Sequence, residues 1–207
     1  MRRLWGRANS SNVMKVIWLL EELKLPYERL DVGGSFGKTD TPEYRAMNPN
    51  GLVPTLQEDG FTLWESNAIL RYLCSAYAPQ SPLWPEEPRV RANIDRWMDW
   101  QQTALGPPIG VIFWNLVRTP PEKRDQAAVE AAIKNCTRLW GMLEAELARH
   151  PYVGGASFTL GDIPLGVHVH RWFAMAFERP PLPHLEAWYH RLQERAPYRA
   201  HIALPPS

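Results

Sequence analysis

Three consecutive polar residues near the start of the chain have the side chains and the position to stabilise an anion. Ser10, Ser11 and Asn12 directly precede a stretch with helical spacing of apolar residues. The first amides of a helix lack intrahelical partners and carry the positive end of the helix dipole, so hydroxyl and amide donors beside them favour negative charge. The alternative interpretation is that these residues only cap the helix, as Ser and Asn commonly do.

A second polar pair, Glu65-Ser66, lies between a strand candidate and another helical stretch. The Ser66 hydroxyl and the first amides of that helix are suited to receive a carboxylate. The alternative is a simple N-cap with a solvated Glu. Between the two polar segments, the pair Val53-Pro54 on its own predicts only a trans proline that starts an edge strand.

The elements around these segments describe a small α/β domain. Strand candidates 2–6 and 27–32 enclose the first helix, and a short helical segment follows at 41–47. Asp59-Gly60 is a strong hairpin signal between strand candidates 53–57 and 61–64, and a helix follows from Ser66 to Tyr77. The order βαβ and then ββα predicts an α/β domain over residues 1–77.

The rest of the chain predicts helices. Residues 78–88 are rich in Pro, Ser and Gln and read as a linker, and residues 89–207 carry only helical patterns. Prolines such as Pro107-Pro108 are expected at joints between helices. The clearest core stripe comprises Val129, Ala132, Ile133, Cys136, Trp140, Leu143 and Leu147.

Composition excludes several classes of function. The 23 basic and 22 acidic residues give a formal charge of +1, so neither nucleic acid nor an anionic membrane is an expected partner. The sequence shows no signal peptide and no run of about 18 apolar residues. Two cysteines in a chain of 207 residues do not form a disulfide framework. These features together predict a cytoplasmic protein.

Four motifs resemble those of cytosolic glutathione transferases. The segment Ser10-Ser11-Asn12-Val13-Met14-Lys15-Val16 is similar to the first catalytic loop and helix of bacterial, theta- or Nu-like members, which use Ser or Thr instead of Tyr. Asn48-Pro49-Asn50-Gly51-Leu52-Val53-Pro54 and Trp64-Glu65-Ser66-Asn67 resemble the family's cis-proline and strand-to-helix motifs. Ser157 to Pro164 resembles its buried capping segment. The resemblance therefore spans nearly the whole chain and implies a thioredoxin-like domain followed by an all-helical domain.

The resemblance also implies roles for individual residues. Ser10 takes the place of the catalytic hydroxyl and Asn12 that of a sulfur-contacting amide, while Ser11 is the alternative to Ser10. The γ-glutamyl end of glutathione is assigned to Ser66, with Glu65 on its ammonium group. For the rest of the tripeptide, the assigned contacts are the Val53 backbone beside a cis Pro54, and Lys38 and the Leu52 backbone at the glycyl end.

In the helical half, the resemblance implies a pocket for the electrophile. Among Ile112, Phe113 and Trp114, core packing is expected for two and exposure for Trp114, with Phe113 as its neighbour in the pocket. Thr159 and Asp162 have capping-box spacing and are expected to stabilise a helix start. Cys74 and Cys136 are expected in the core. His168 and His170 are two residues apart on a helix, unlike a metal-binding pair, so no metal is predicted.

The implied activity is transfer of the glutathione thiolate to small apolar electrophiles, a detoxification reaction, with the site between the two domains of each subunit in a homodimer. Two alternatives stay open. One is glutathione-dependent reduction of disulfides or peroxides, which Asn12 favours. The other is a binding or scaffold protein that has kept the fold without catalysis.

Overall fold

The computed structural model describes residues 1–206, which divide into two compact units, Met1–Ser81 and a second unit that begins at Pro82. The first unit is an α/β domain and the second is helical, which is the predicted fold class. Among residues 1–206, no helix combines the length and the hydropathy needed to cross a membrane.

The first unit is built on a four-stranded mixed sheet with strand order β2-β1-β3-β4. The strands are β1 (Arg3–Trp5), β2 (Glu28–Leu30), β3 (Thr55–Glu58) and β4 (Phe61–Trp64). β2 is parallel to β1, while β3 is antiparallel to both β1 and β4. The central Leu4 is fully buried opposite Leu56.

The strand predicted at 53–57 starts later than expected, while the turn that follows it agrees with the prediction. β3 begins only at Thr55, because Pro54 has no amide to donate to a ladder. The predicted hairpin is confirmed: Glu58 pairs with Phe61, and the two residues between them have positive φ values, 46° at Asp59 and 81° at Gly60. Two positive φ values are those of a type I′ turn, which Asp-Gly sequences favour.

Three helices accompany the sheet: α1 (Ser11–Glu22), α2 (Pro42–Met47) and α3 (Ser66–Tyr77). The polar stretch expected before α1 ends earlier than predicted, since Ser11 and Asn12 already lie in its first turn. α2 starts with Pro42 behind the cap residue Thr41, whose Oγ1 accepts from the Tyr44 amide at 3.2 Å.

The second unit contains α4 (Pro88–Trp100), α5 (Gly106–Phe113), α6 (Gln126–Leu147), α7 (Asp162–Ala174), α8 (Pro183–Gln193) and α9 (Ala196–His201). Two π-helical segments, Gln101–Leu105 and Trp114–Arg118, directly follow α4 and α5. Pro107-Pro108 therefore does not mark the expected joint between separate helices. Both prolines lie in the first turn of α5, which continues directly from the π-helical segment before it.

The core stripe predicted on α6 is present with one correction. Six of its seven predicted residues are buried, but Ile133 is only half-buried and Leu139 is buried in addition. Positions three, seven, ten and fourteen after Val129 continue one face of the helix, whereas Ile133 lies on the flank of that face.

Candidate functional site

The Ser10 hydroxyl, in the loop before α1, makes no hydrogen bond to the helix that follows. Ser10 is the N-cap of α1, with extended backbone angles (φ −82°, ψ 126°), and 8% of its surface is exposed. Its backbone serves the helix, since its carbonyl accepts from the Met14 amide at 2.8 Å. Its side chain makes no capping hydrogen bond, although Ser at this position commonly does. The first amides of α1 therefore do not use the hydroxyl of the residue that caps the helix.

The two residues that follow Ser10 differ in their exposure. Ser11 is the first residue of α1 and is half-buried, while Asn12 is exposed. The Oδ1 atom of Asn12 accepts a hydrogen bond from the Ser66 hydroxyl at 3.4 Å. The starts of α1 and α3, predicted from separate motifs, therefore meet through this contact.

The start of α3 carries a strained residue at the predicted position. Glu65 is its N-cap with a φ of 71°, a left-handed conformation that costs a non-Gly residue about 1–3 kcal/mol. The Glu65 side chain is exposed and makes no capping hydrogen bond, so a simple N-cap does not account for it. Ser66 is buried, with 3% of its surface exposed. Such strain is concentrated at ligand-binding positions, which makes Glu65 a candidate for one.

A buried lysine lies behind Ser66 and has no counterpart among the predicted site residues. Lys15 belongs to α1, is 1% exposed, and donates from Nζ to Ser66 Oγ at 3.4 Å. Lysine is almost never fully buried. The sequence offered one signal for it, a single cation within the otherwise apolar run from Val13 to Leu20.

The Val53–Pro54 peptide bond is cis. Neither the amide nor the carbonyl of Val53 belongs to a backbone hydrogen bond within residues 1–206. Leu52 differs, because its carbonyl accepts from Tyr44 Oη at 2.7 Å and from Asn48 Nδ2 at 2.8 Å. Both lone pairs of that carbonyl are used, so only the Leu52 amide is left for a ligand.

Lys38 lies in the glycine-rich loop before α2. Its side chain is exposed, its φ is 68°, and its carbonyl accepts from the Thr41 hydroxyl at 3.2 Å. The loop therefore anchors the backbone of Lys38 to the cap of α2 and leaves the ammonium group in solvent.

In the helical unit, Phe113 and Trp114 occupy opposite environments. Ile112 and Phe113 are buried, whereas Trp114 is 60% exposed and opens the second π-helical segment. The Phe113 ring packs edge-on against Trp114, with 6.5 Å between centroids, and the Arg171 guanidinium lies 3.9 Å from the Phe113 centroid. Of the two predicted pocket residues, only Trp114 presents a large apolar surface to solvent.

Asp162, the first residue of α7, is fully buried and hydrogen-bonded. Its carboxylate accepts from the amides of Val153 and Thr159, from the Thr159 hydroxyl and from Trp188 Nε1, all at 2.8–3.0 Å. Burial is the largest influence on this carboxyl and raises its pKa to about 6, against the lowering effect of the four donors. The capping box predicted for Thr159 and Asp162 is only half formed. The Asp162 carboxylate accepts from the Thr159 amide, but Gly161 is the N-cap of α7, and Thr159 donates its hydroxyl to the carboxylate instead of accepting from the helix.

The two cysteines and the histidines His168 and His170 are buried. Cys74 and Cys136 are fully buried, and burial raises the pKa of each thiol to about 12. His168 Nδ1 contacts the Pro164 carbonyl, while His170 contacts the Tyr189 hydroxyl and the Leu204 carbonyl. No group of three His, Cys, Asp or Glu side chains in the part of the chain that the structure describes is placed to hold a metal ion.

Comparison with protein families gives two matches. Residues 2–75 match the model "Glutathione S-transferase, N-terminal domain" and residues 126–191 match "Glutathione S-transferase, C-terminal domain". The two matched ranges contain the residues described above on α1, α3 and α7.

Individual proteins are similar over the full length. The chain is 45% identical to Glutathione S-transferase GstB of Escherichia coli K12, over 100% of both sequences, and 29% identical to Glutathione S-transferase 3 of Zea mays, over 99% of this chain and 96% of the maize protein. Among solved structures, the theta class glutathione S-transferase of Xanthomonas axonopodis pv. citri with glutathione bound has a TM-score of 0.96 and 48% identity, covering 100% of this chain and 99% of the other.

Proposed function

This chain belongs to the glutathione S-transferase family, and from that premise we propose that it transfers the thiolate of glutathione to small apolar electrophiles, a detoxification reaction. The observation that carries the proposal is that Ser10, the N-cap of α1, makes no capping hydrogen bond through its hydroxyl. A side chain that only capped the helix would be hydrogen-bonded to it.

The energetics of this position are sufficient for the chemistry. A free thiol has a pKa of about 8.5, and lowering it by about two requires roughly 2.7 kcal/mol of preference for the thiolate. One hydrogen bond to an ion supplies about 1.5–3 kcal/mol, and the helix dipole about 0.3–1 kcal/mol. Ser10 together with the start of α1 therefore stabilises the thiolate without a general base, and the thiolate attacks an electrophilic carbon.

We assign the rest of the tripeptide to the remaining groups of the first unit. The unpaired amide and carbonyl of Val53 beside Pro54 receive the cysteinyl backbone as an added strand would. Ser66 and the first amides of α3 receive the γ-glutamyl carboxylate, and Glu65 holds its ammonium group. Lys38 and the Leu52 amide face the glycyl end.

Trp114 is proposed to contact the electrophile, with Phe113 supporting its ring from the core. We expect Trp114→Ala to raise KM for 1-chloro-2,4-dinitrobenzene by about 5- to 10-fold, because an aromatic contact contributes about 1 kcal/mol or more. KM for glutathione stays unchanged. The matched control is Val111→Ala, another exposed residue of the same region. An equal rise in both KM values would remove Trp114 from the electrophile site.

Two properties of the whole protein complete the proposal. A homodimer is proposed because of the resemblance to the family. A cytoplasmic location is proposed because both cysteines are free and buried, as a reducing compartment favours. Sedimentation of the purified protein at micromolar concentration tests the first, and fractionation of the source cells tests the second.

Reduction of small disulfides is the second candidate activity, and the exposed Asn12 amide favours it, since it adds a donor for the sulfur at the same loop. Both activities use the same thiolate. Comparing kcat/KM for 1-chloro-2,4-dinitrobenzene and for 2-hydroxyethyl disulfide decides between them: the transferase proposal predicts faster turnover of the aryl halide.

Calorimetric titration with glutathione tests the premise of both proposed activities, which is that the protein binds glutathione. We expect wild type and Ser10→Ala to bind glutathione with similar affinity, because the binding contacts lie elsewhere, while the activity of Ser10→Ala is lower. No binding by wild type at millimolar glutathione would leave the scaffold protein as the remaining function.

A further inference from the structure

The buried Lys15 ammonium determines which way the hydrogen bonds run at the start of α3. An ammonium group has three donors and no acceptor, so Ser66 Oγ must accept from Lys15 Nζ. The single Ser66 proton is then directed to another acceptor. In the structure that acceptor is Asn12 Oδ1.

This direction of hydrogen bonding places the Asn12 amide in a defined orientation. Its oxygen is held by Ser66, and Asn12 lies one residue beyond Ser11 in the first turn of α1, whose N-cap is Ser10. The contacts from Lys15 to Ser66 and from Ser66 to Asn12 are each 3.4 Å long, longer than a well-formed hydrogen bond of about 3 Å, and are therefore weak. A stronger acceptor competes easily for the Ser66 proton.

We propose that Lys15, Ser66 and Asn12 form a relay that couples binding of the γ-glutamyl carboxylate to stabilisation of the glutathione thiolate. The inference rests on the function proposed above. The carboxylate replaces Asn12 Oδ1 as the acceptor of the hydrogen bond from the Ser66 hydroxyl, because a charged acceptor forms the stronger hydrogen bond. Asn12 is thereby released, and its amide turns to donate from Nδ2 to the sulfur. Lys15 is a positioning residue: it keeps Ser66 an outward donor in both states.

The relay makes a prediction opposite in sign to direct electrostatics. A nearby carboxylate by itself disfavours a thiolate and raises the thiol pKa. The relay predicts that the carboxylate of bound glutathione lowers it, since it frees a donor for the sulfur. An analogue of glutathione that lacks only this group, 4-aminobutyryl-cysteinyl-glycine, separates the two effects.

The experiment is titration of thiolate absorbance against pH for the saturated complexes of both ligands. For wild type we expect a midpoint about one pH unit higher with the analogue, as one hydrogen bond to an ion is worth about that much. Asn12→Ala and Lys15→Met each abolish or reverse this difference. Lys15→Arg retains it, because arginine is also a donor without an acceptor.

Controls separate the relay from a loss of fold or charge. Lys134→Met removes one exposed cation in the helical unit and is expected to keep the wild-type difference. Should Lys15→Met not fold, Ser66→Ala and the exposed Asn12→Ala test the same relay. The proposal is wrong if folded Lys15→Met or Asn12→Ala keeps the wild-type difference, or if wild type gives equal or lower midpoints with the analogue. A wild type that does not lower the glutathione thiol pKa overturns the proposed function instead.

Discussion

Polar side chains at the starts of α1 and α7 are used in opposite ways: Ser10 is the N-cap of α1, and Asp162 is the first residue of α7. At α7, the Asp162 carboxylate is fully buried and is surrounded by four hydrogen-bond donors of its own unit. At α1, the Ser10 side chain makes no capping hydrogen bond. A polar side chain at a helix start that is fully hydrogen-bonded within its own chain stabilises the fold, while one without such bonds is suited to contact a bound anion. Substitutions at the two starts should therefore have separable effects on stability and activity.

The largest effect is expected from Asp162→Ala. This change leaves two buried amides, an indole and a hydroxyl without their acceptor, and we expect it to lower the free energy of unfolding by about 3–5 kcal/mol. Urea denaturation measures the loss. The activity of the molecules that remain folded should be unchanged, and a loss below about 1 kcal/mol would contradict the structural role of this helix start.

Ser10→Ala is the counterpart at α1. Because one hydrogen bond to the thiolate is lost, kcat/KM is expected to fall by about 10- to 100-fold. The free energy of unfolding should change by less than about 0.5 kcal/mol, since no capping bond is removed. Steady-state kinetics and urea denaturation on the same preparation test both parts. A large loss of stability would mean that Ser10 caps α1.

The pH dependence of stability is the next effect in size. The pKa of Asp162 is raised to about 6 in the folded chain, mainly by burial, whereas an unfolded Asp has a pKa of about 3.9. The folded chain therefore binds this proton more tightly, and stability falls as pH rises from about 4 to about 6, by on the order of 2 kcal/mol. Asp162→Asn should lack this contribution when unfolding is followed across that range. Parallel pH profiles of wild type and the variant would contradict it.

Thr159→Ala sharpens the comparison, because it removes one of the hydrogen bonds to the Asp162 carboxylate at the start of α7. Its Oγ1 donates to Asp162 at 3.0 Å, and losing one such bond is expected to cost about 1–2 kcal/mol of unfolding free energy. Activity should not change, in contrast to removal of the Ser10 hydroxyl. Thermal unfolding and kcat/KM, measured side by side, test this opposition.

Local sequence signals explain how much of the fold could be predicted. The Asp59-Gly60 turn, the capping pair Thr159 and Asp162 and the stripe on α6 each depend on residues close in sequence. The start of α1 was less predictable, because Ser11 and Asn12 resemble loop residues in composition but occupy a helical turn. Whether the Ser10 hydroxyl caps the helix depends on one side-chain rotamer, which no sequence pattern specifies.

Lys15 shows what sequence reasoning missed at the site. A lysine in a helix is expected in solvent, because lysine is almost never fully buried. In the structure α1 is buried on most of its surface, including Lys15 and its neighbours Val16 and Ile17. The contact with Ser66 links residues 51 positions apart, so it arises only from the packing of α1 against α3.

The central claim is that Ser10, at the start of α1, lowers the thiol pKa of bound glutathione. Its most direct test is the pH titration of thiolate absorbance for the glutathione complexes of wild type, Ser10→Ala and Ser11→Ala. We predict a midpoint well below the value of about 8.5 for a free thiol in wild type and Ser11→Ala, and a return toward that value in Ser10→Ala alone. A midpoint unchanged in Ser10→Ala would contradict the claim, and a shift in Ser11→Ala alone would assign the role to the neighbouring hydroxyl.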